Sequence, residues 1–399
     1  MLELEEAVGR ILAAVPTAAP ECVSIGEADG RILAEGVRAR IDLPIFDTSS
    51  MDGYALRSSE VTRASKEAPT RLKIIGRVAA GERWTGKIAE NTCVRLFTGS
   101  PLPEGADAVV MQEDTNPVAD EFVEVLDSVR PWENIRMQGE DVKKDSLLMD
   151  CGERLSAATL MLLAATGCAS INVWKRPTVG LLATGSELVE APMSLSAGQI
   201  FESNRIGLAS VVKSVGGIPK VFAIAADTLS QTKKALNSAL AECDILVTSG
   251  GVSVGEFDFV KIAFQSIGGN LDFWKVAIRP GKPFVFGQWK EKFLFGLPGN
   301  PVSAMVTCLV LVRPAVLRFQ GASEAAIPDR WGILAEALSN CGERRHFMRV
   351  KVNDEGKVFS AGIQASHSLS SLAEADGVVD VPAQTTLQPG MLVRLLTWD

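Results

Sequence analysis

Residues able to do chemistry gather in a few short segments of this sequence. Thr184-Gly-Ser-Glu187, Ala226-Asp227 and Thr248-Ser-Gly-Gly-Val-Ser-Val-Gly-Glu-Phe-Asp258 each follow an apolar run, as does Gly296-Leu-Pro-Gly-Asn-Pro-Val-Ser303. They bring three carboxylates (Glu187, Asp227, Asp258) and two glycine-rich turns to the ends of those runs. A glycine-rich turn leading into a helix presents backbone N–H groups to phosphate. Before the last segment, Lys275-Val-Ala-Ile-Arg279-Pro-Gly-Lys282-Pro places three cations along an expected strand and the loop after it. Together these groups suggest a phosphorylated ligand handled with a divalent metal. Each part alone also has a plainer role: a tight turn, a helix cap, a solvated strand edge. Their coincidence at one sheet edge is the more specific signal.

A rival chemistry sits in the same segment. Gly251-Val-Ser253-Val-Gly255 fits G-x-S-x-G between an expected strand and helix, as a serine hydrolase nucleophile would. The only two histidines, His346 and His367, follow in the required order. Both fall in a C-terminal β region, away from the expected place of a triad histidine, and Gly250 favours a phosphate turn. Elsewhere, Asp42-Leu-Pro-Ile-Phe-Asp-Thr-Ser-Ser-Met-Asp-Gly-Tyr54 holds the only tyrosine and mixes turn formers with apolar anchors. That is an ordered loop with a purpose, or a domain connection capped by its own side chains.

The elements that must position these groups follow from periodicity. Between Arg176 and Gly321, runs at Thr178–Ala183, Lys220–Ala225, Asp244–Thr248, Phe273–Ile278 and Pro283–Phe286 read as strands. Helical patterns over 204–215, 230–242, 257–267 and from Asn300-Pro301 towards Phe319 separate or follow them. Alternating strands and helices mean a doubly wound, mostly parallel sheet, whose ligands bind beyond the carboxyl ends of its strands. Leu4, Val8, Ile11, Leu12 and Val15 mark an amphipathic helix, and Ser156–Gly167 another, capped by Ser156. Alternating short runs over 71–150 read as a small β-rich module. A hairpin around Asn353-Asp-Glu-Gly356, followed by Val378–Val381 and Met391–Leu396, reads as a small antiparallel barrel or sandwich.

Of 399 residues 47% are hydrophobic and 22% charged, with a net charge of -8. That balance excludes wholesale disorder and argues against nucleic acid or an anionic membrane as partner. No uninterrupted apolar run reaches the ~18 residues of a spanning helix, since Cys308-Leu-Val-Leu-Val312 meets Arg313-Pro314. The start, Met1-Leu-Glu-Leu-Glu-Glu, is acidic where a secretory signal is basic. Seven scattered cysteines without a C-x-x-C pair read as small buried thiols in a reducing compartment, and the cytoplasm is the expected location.

In chain order, Phe46-Asp-Thr-Ser-Ser-Met-Asp-Gly-Tyr-Ala55, Thr98-Gly-Ser-Pro-Leu-Pro-Glu-Gly-Ala-Asp107, Asn134-Ile-Arg136-Met-Gln-Gly-Glu-Asp141, Ala183-Thr-Gly-Ser-Glu-Leu188, Ser249–Asp258, Arg279-Pro-Gly-Lys-Pro283 and Gly296–Ala304 form a set. This set resembles the molybdopterin molybdotransferases, the MoeA and gephyrin E-domain family, over nearly the whole chain. The resemblance implies the last step of molybdenum cofactor synthesis. Adenylylated molybdopterin is bound, its phosphoanhydride is cleaved with release of AMP, and molybdate is placed on the dithiolene sulfurs. A non-catalytic molybdopterin-binding or scaffold member is the other outcome the family allows.

The resemblance further implies a homodimer with its cleft between subunits, a magnesium or similar divalent ion, and a molybdopterin adenylyltransferase as upstream partner. The implied catalytic set is Asp52, Thr98, Asp141, Glu187, Asp227, Lys275 and Arg279. The implied substrate-binding set is Arg136, Gly250, Gly251, Ser253, Gly255, Lys282, Pro298, Asn300, Pro301 and Ser366, with Asp227 and Asp258 as metal ligands. The expected fold is α/β plus β in several domains: residues 1–45 with 142–175 as an elongated helical linker domain, 46–141 as the small β-rich module, 176–322 as a MogA-like sheet domain, and 323–399 as a C-terminal barrel-like domain. Departures are Arg279 where lysine is frequent, Ser186 where many relatives carry Asp, and Ile363-Gln-Ala-Ser-His367 in place of a more glycine-rich turn.

Overall fold

The structure is a computed structural model that describes residues 1–79, 81–118, 121–252, 259–323 and 330–398. Strands Thr178–Ala183, Ile245–Ser249 and Lys292–Leu297 are buried along nearly all their length. Continuous apolar runs of this kind belong to strands covered on both faces. They lie side by side in parallel. Ile218–Val221 extends one edge in parallel, and Val285–Trp289 then Asn270–Trp274 extend the other antiparallel, making six strands. Helices Asn204–Ser214, Leu229–Glu242 and Val260–Ser266 wind around this sheet. One face is filled by Phe273, Phe284, Phe286, Phe293 and Phe295, whose neighbouring ring centroids lie 5.0–6.4 Å apart. The N-terminal helix Leu4–Ala14 delivers Ala7 and Ile11 into the same core.

Two elements of this domain differ from the sequence expectation. The strand expected over Lys220–Ala225 begins at Ile218 and ends at Val221. The strand expected over Phe273–Ile278, which would carry Lys275, stops at Trp274, because Lys275 adopts a left-handed φ of 71°. Ile278–Arg279 instead pairs with Arg345-His346 of the C-terminal domain. The last helix runs from Pro301 to Phe319 as expected, passing Pro314 through a π turn at Cys308–Val312. A proline inside a helix removes an N–H and crowds the carbonyl four residues back, and a π turn just before it absorbs that mismatch. This helix is long and apolar enough to cross a bilayer, but 67% of that stretch is buried inside the protein, as a core helix is.

The remaining domains are β-rich. Ala108–Met111, Gly53–Leu56, Thr92–Leu96, Thr70–Val78, Phe122–Val125 and Thr115–Val118 form one six-stranded sheet in that order. Arg345–Val352, Lys357–Ser360, Arg330–Leu334, Leu392–Leu396 and Gly377–Val381 close on themselves as a five-stranded barrel. Between sheet and module, Pro20–Ser24 pairs with Ser170–Trp174 and Val37–Arg38 with Leu147–Met149. Helix Ala157–Ala165 packs there behind the expected Ser156 cap, with Leu163 as its buried residue. All seven cysteines are unpaired; Cys93, Cys168, Cys243 and Cys308 are buried, and Cys22, Cys151 and Cys341 are exposed rather than buried as expected.

Candidate functional site

The turns that leave the parallel strands enclose a cleft of about 700 Å³, lined by Glu187, Asp227, Gly250, Gly251, Pro298, Asn300 and Pro301 among others. These are sequence-expected site residues from four separate segments. Gly250 and Gly251 have φ of 89° and 66°. A Cβ on Gly250 would sit 2.5 Å from the Thr184 carbonyl oxygen, and one on Gly251 would sit 2.8 Å from Thr184 Oγ1. Only glycine fits this turn, whose backbone is thereby brought flush with the cleft floor. The Gly250 N–H donates to Leu297 O at 3.0 Å, which ties the turn to the neighbouring strand. Ser253, Gly255 and Asp258, expected to continue this turn, lie outside the described residues.

Two loops of the rim are locked to each other. The Ser186 N–H donates to Asp227 Oδ2 at 3.0 Å, and the Asp227 N–H donates to Ser186 Oγ at 3.1 Å. Serine at 186, where the resemblance has Asp, therefore leaves Asp227 without a like charge beside it. Sequence reasoning missed Ser203 and Asn204, which also line the cleft. Asn204 Nδ2 donates to Gly299 O at 2.7 Å and so braces the second glycine turn. The signal available was a Ser-Asn pair opening a helix beside the rim. Asn300 is a second difference: it occupies the N-cap position, yet its side chain does not cap. Its Nδ2 instead donates to Ser366 Oγ at 3.0 Å, while the Val302 N–H donates to Ser366 O at 3.1 Å.

That staple carries the barrel's loop to the sheet domain and places His367 in the cleft wall. The expectation that both histidines lie away from the rim therefore fails for His367. His346 does not line the cleft; it is buried on the barrel strand that pairs with Arg279. Behind the loop, the buried Arg349 guanidinium donates to Ala365 O at 3.1 Å and to Ile363 O. Burial lowers the pKa of Arg349, which acts as a strut that the sequence reading did not identify.

Several expected residues are not part of this cleft. Lys275 lies over the Trp274 ring, 3.7 Å from its centroid. Arg279 is exposed on the side of the barrel, and Lys282 is exposed just before the cleft-lining Pro283. Among the described residues that line the cleft there is no lysine or arginine. In the β module, Asp52 Oδ1 accepts from the Thr98 N–H and from Thr98 Oγ1, both at 2.8 Å. Those bonds, helped by nearby Arg95, hold the Asp52 carboxyl below the ordinary carboxylate range. Arg95 in turn donates to the buried Tyr54 hydroxyl at 3.0 Å. Arg136, in the short strand beside Thr48, and Asp141 are both exposed. None of Asp52, Thr98, Arg136 and Asp141 lines the cleft of its own chain.

Residues 2–167 match the family described as MoeA N-terminal region (domain I and II), 180–318 a probable molybdopterin binding domain, and 332–398 the MoeA C-terminal region (domain IV). The chain is 35% identical over 382 residues to the molybdopterin molybdenumtransferase of Haemophilus influenzae, covering 94% of this chain and 93% of that protein. It is 36% identical over 386 residues to molybdopterin molybdenumtransferase 2 of Mycobacterium tuberculosis, covering 95% of each. The crystal structure of a molybdopterin biosynthesis MoeA protein from Pyrococcus horikoshii OT3 superposes with a TM-score of 0.84 at 30% identity, covering 99% of this chain and 100% of that one. With these three regions matched along 2–398 and relatives 35–36% identical over more than nine-tenths of both chains, the chain belongs to the MoeA family.

Proposed function

We propose that this protein is a molybdopterin molybdenumtransferase: it binds adenylylated molybdopterin, releases AMP and transfers molybdate to the dithiolene in molybdenum cofactor synthesis. The observation that carries the reading is the cleft at the carboxyl ends of the parallel strands, floored by Gly250 and Gly251 and walled by Glu187 and Asp227, in a chain collinear with transferases of that name. Main-chain groups of the turn at Gly250 and Gly251 receive the phosphates, Ser253 and Gly255 being assigned to substrate by the resemblance alone, and Pro298, Asn300, Pro301 and Ser366 shape the opposite wall. Asp52 is ionised at neutral pH, so it serves as a charge acceptor or positioning group rather than as a general acid.

A homodimer completes the site in this reading. Asp52 and Thr98 are locked together but face no cleft of their own chain, and Phe46 and Met51 beside them are 43% and 41% exposed. The partner's module would bring Asp52, Thr98, Arg136 and Asp141 to the rim. Lys275, Arg279 and Lys282 would then offset charge from its flank. The division into residues 1–45 with 142–175, 46–141, 176–322 and 323–399 belongs to the same proposal, as do a cytoplasmic location and an adenylyltransferase supplying the substrate.

A magnesium-like ion fits the donors in one particular way. Among the described residues no group of three carboxylate, histidine or cysteine side chains is gathered to cage a metal. Mg²⁺ is usually bound by one or two carboxylates plus substrate phosphates, which Asp227 with Asp258 would satisfy. When bound there, it would neutralise charge developing on the phosphoanhydride. The test is AMP release from adenylylated molybdopterin by the full-length protein. Release should require molybdate and a divalent ion, and Asp52→Ala or Asp227→Ala should abolish it in a protein that still unfolds cooperatively. Full activity in both variants refutes the assignment, and tight binding without AMP release would leave a scaffold.

A further inference from the structure

The cleft poses an electrostatic question that its sequence motifs do not answer. Its charged lining among the described residues is Glu187, Glu202 and Asp227; Glu202 carries its own countercharge in the buried Arg205 at 2.9 Å, so Glu187 and Asp227 set the sign of the cleft, while the cations expected beside it stand elsewhere. A phosphate placed there meets no lysine or arginine from these walls. His367 is the one described cleft-lining side chain that can carry a positive charge, and it also offers a ring N–H donor.

Its position is built rather than incidental. The preceding residue is fastened to the start of the helix at Pro301 by two bonds, Asn300 Nδ2 to Ser366 Oγ at 3.0 Å and Val302 N–H to Ser366 O at 3.1 Å. Arg349 holds the loop from below through Ala365 O at 3.1 Å, and Ser371 Oγ donates to Ile363 O at 2.9 Å. Gln364 closes the same loop, accepting from the Arg349 N–H and donating to Arg349 O, both at 2.9 Å. Five residues of a separate domain are thus ordered, and what they present to the sheet domain's cleft is an imidazole.

Resting on the function proposed above, we infer that His367 donates a hydrogen bond to the phosphate of the bound nucleotide end. The barrel domain then takes part in substrate binding directly. The imidazole is exposed and its loop is held by backbone and neighbouring side chains, so trimming it leaves the scaffold intact.

The experiment is calorimetric titration of AMP into the full-length protein, His367→Ala and His367→Gln, with Tm measured for each. A hydrogen bond to a charged group is typically worth about tenfold or more in affinity. His367→Ala should therefore weaken AMP binding at least about tenfold, with Tm unchanged, and His367→Gln, which keeps an N–H donor, should fall between. Wild-type affinity in His367→Ala overturns this inference while leaving the proposed function standing. Absence of AMP binding to the wild-type protein overturns the proposed function itself, and this inference with it.

Discussion

Substituting Gly250 by alanine tests whether the cleft floor is built as described. The residue has a φ of 89°, where a Cβ costs about 1–2 kcal/mol. The new methyl would also start 2.5 Å from Thr184 O and 3.1 Å from Thr184 Oγ1. The carbonyl belongs to backbone tied to its neighbours, since the Thr184 N–H donates to Ser249 O at 3.0 Å, so it cannot swing aside like a side chain. Relief must come from the turn, at the expense of the bond from the Gly250 N–H to Leu297 O, worth about 1 kcal/mol. The sum is about 2–3 kcal/mol, and at about 2–4 °C per kcal/mol the sheet domain should melt some 4–12 °C lower. Gly299 is the internal control. It lines the same cleft, and its Cβ would meet only Gly250 Cα at 3.7 Å, an ordinary contact. Gly299→Ala should cost about 0.5 kcal/mol or less. Thermal unfolding of the two full-length variants beside the wild type reads the difference. Equal melting of Gly250→Ala and wild type, or equal damage from both alanines, would refute the reasoning.

Two further outcomes concern titration. The Asp52 carboxyl lies below its unfolded value, so its bonds to Thr98 stabilise the module above the unfolded pKa and are lost as pH falls through the folded one. Thr98→Ala removes the hydroxyl donor but keeps the N–H, so an NMR titration should show the Asp52 pKa moving part of the way back up; an unmoved value contradicts the assignment. His346 is pushed down to about 4 by burial first, then by Arg279, Arg349 and Arg344. It is therefore neutral when folded at pH 7, and below about 6.5 the unfolded chain takes up a proton that the folded one refuses. Its stabilisation is complete above that pH and declines as pH drops towards 4, by on the order of 3 kcal/mol. Tm measured across that interval should fall more steeply for the wild type than for His346→Gln, and parallel curves would exclude the effect.

The parallel strands were legible because burial on both faces leaves an uninterrupted apolar run, as in Thr178–Ala183. The barrel hairpin was legible because Asn353–Gly356 is turn chemistry between alternating residues. What the sequence could not show was decided by single backbone conformations and by partners distant along the chain. Lys275 looks like a strand residue, yet its left-handed φ ends the strand and sends Arg279 to the barrel. The helix from Pro301 to Phe319 was legible, but the π turn at Cys308–Val312 that carries it past Pro314 was not. Asn300 has the type and position of an N-cap, but its amide is used on Ser366, 66 residues away. His367 was set aside for its distance in sequence from the glycine turn, a distance the interdomain staple removes.

The same staple bears on why the proposed site would draw on a second chain. An acidic wall repels a phosphate: at 4 Å and an effective dielectric of about 20, a single carboxylate–phosphate pair costs about 4 kcal/mol. Glu187 and Asp227 belong to that wall, whereas Glu202 is paired with Arg205, so in the proposed reading substrate affinity has to be supplied against two carboxylates. Main-chain dipoles and the His367 imidazole would offset part of the repulsion. A cation held between Asp227 and the phosphates would reverse the sign of its local contribution, turning a repelling carboxylate into a ligand. The remainder falls to groups that lie elsewhere in the chain, Arg136 in the module and Lys275, Arg279 and Lys282 at the flank. In the proposed dimer, phosphate binding, metal binding and subunit pairing are therefore one electrostatic problem: each supplies positive charge that the cleft walls lack, and none of them alone makes an anion welcome there.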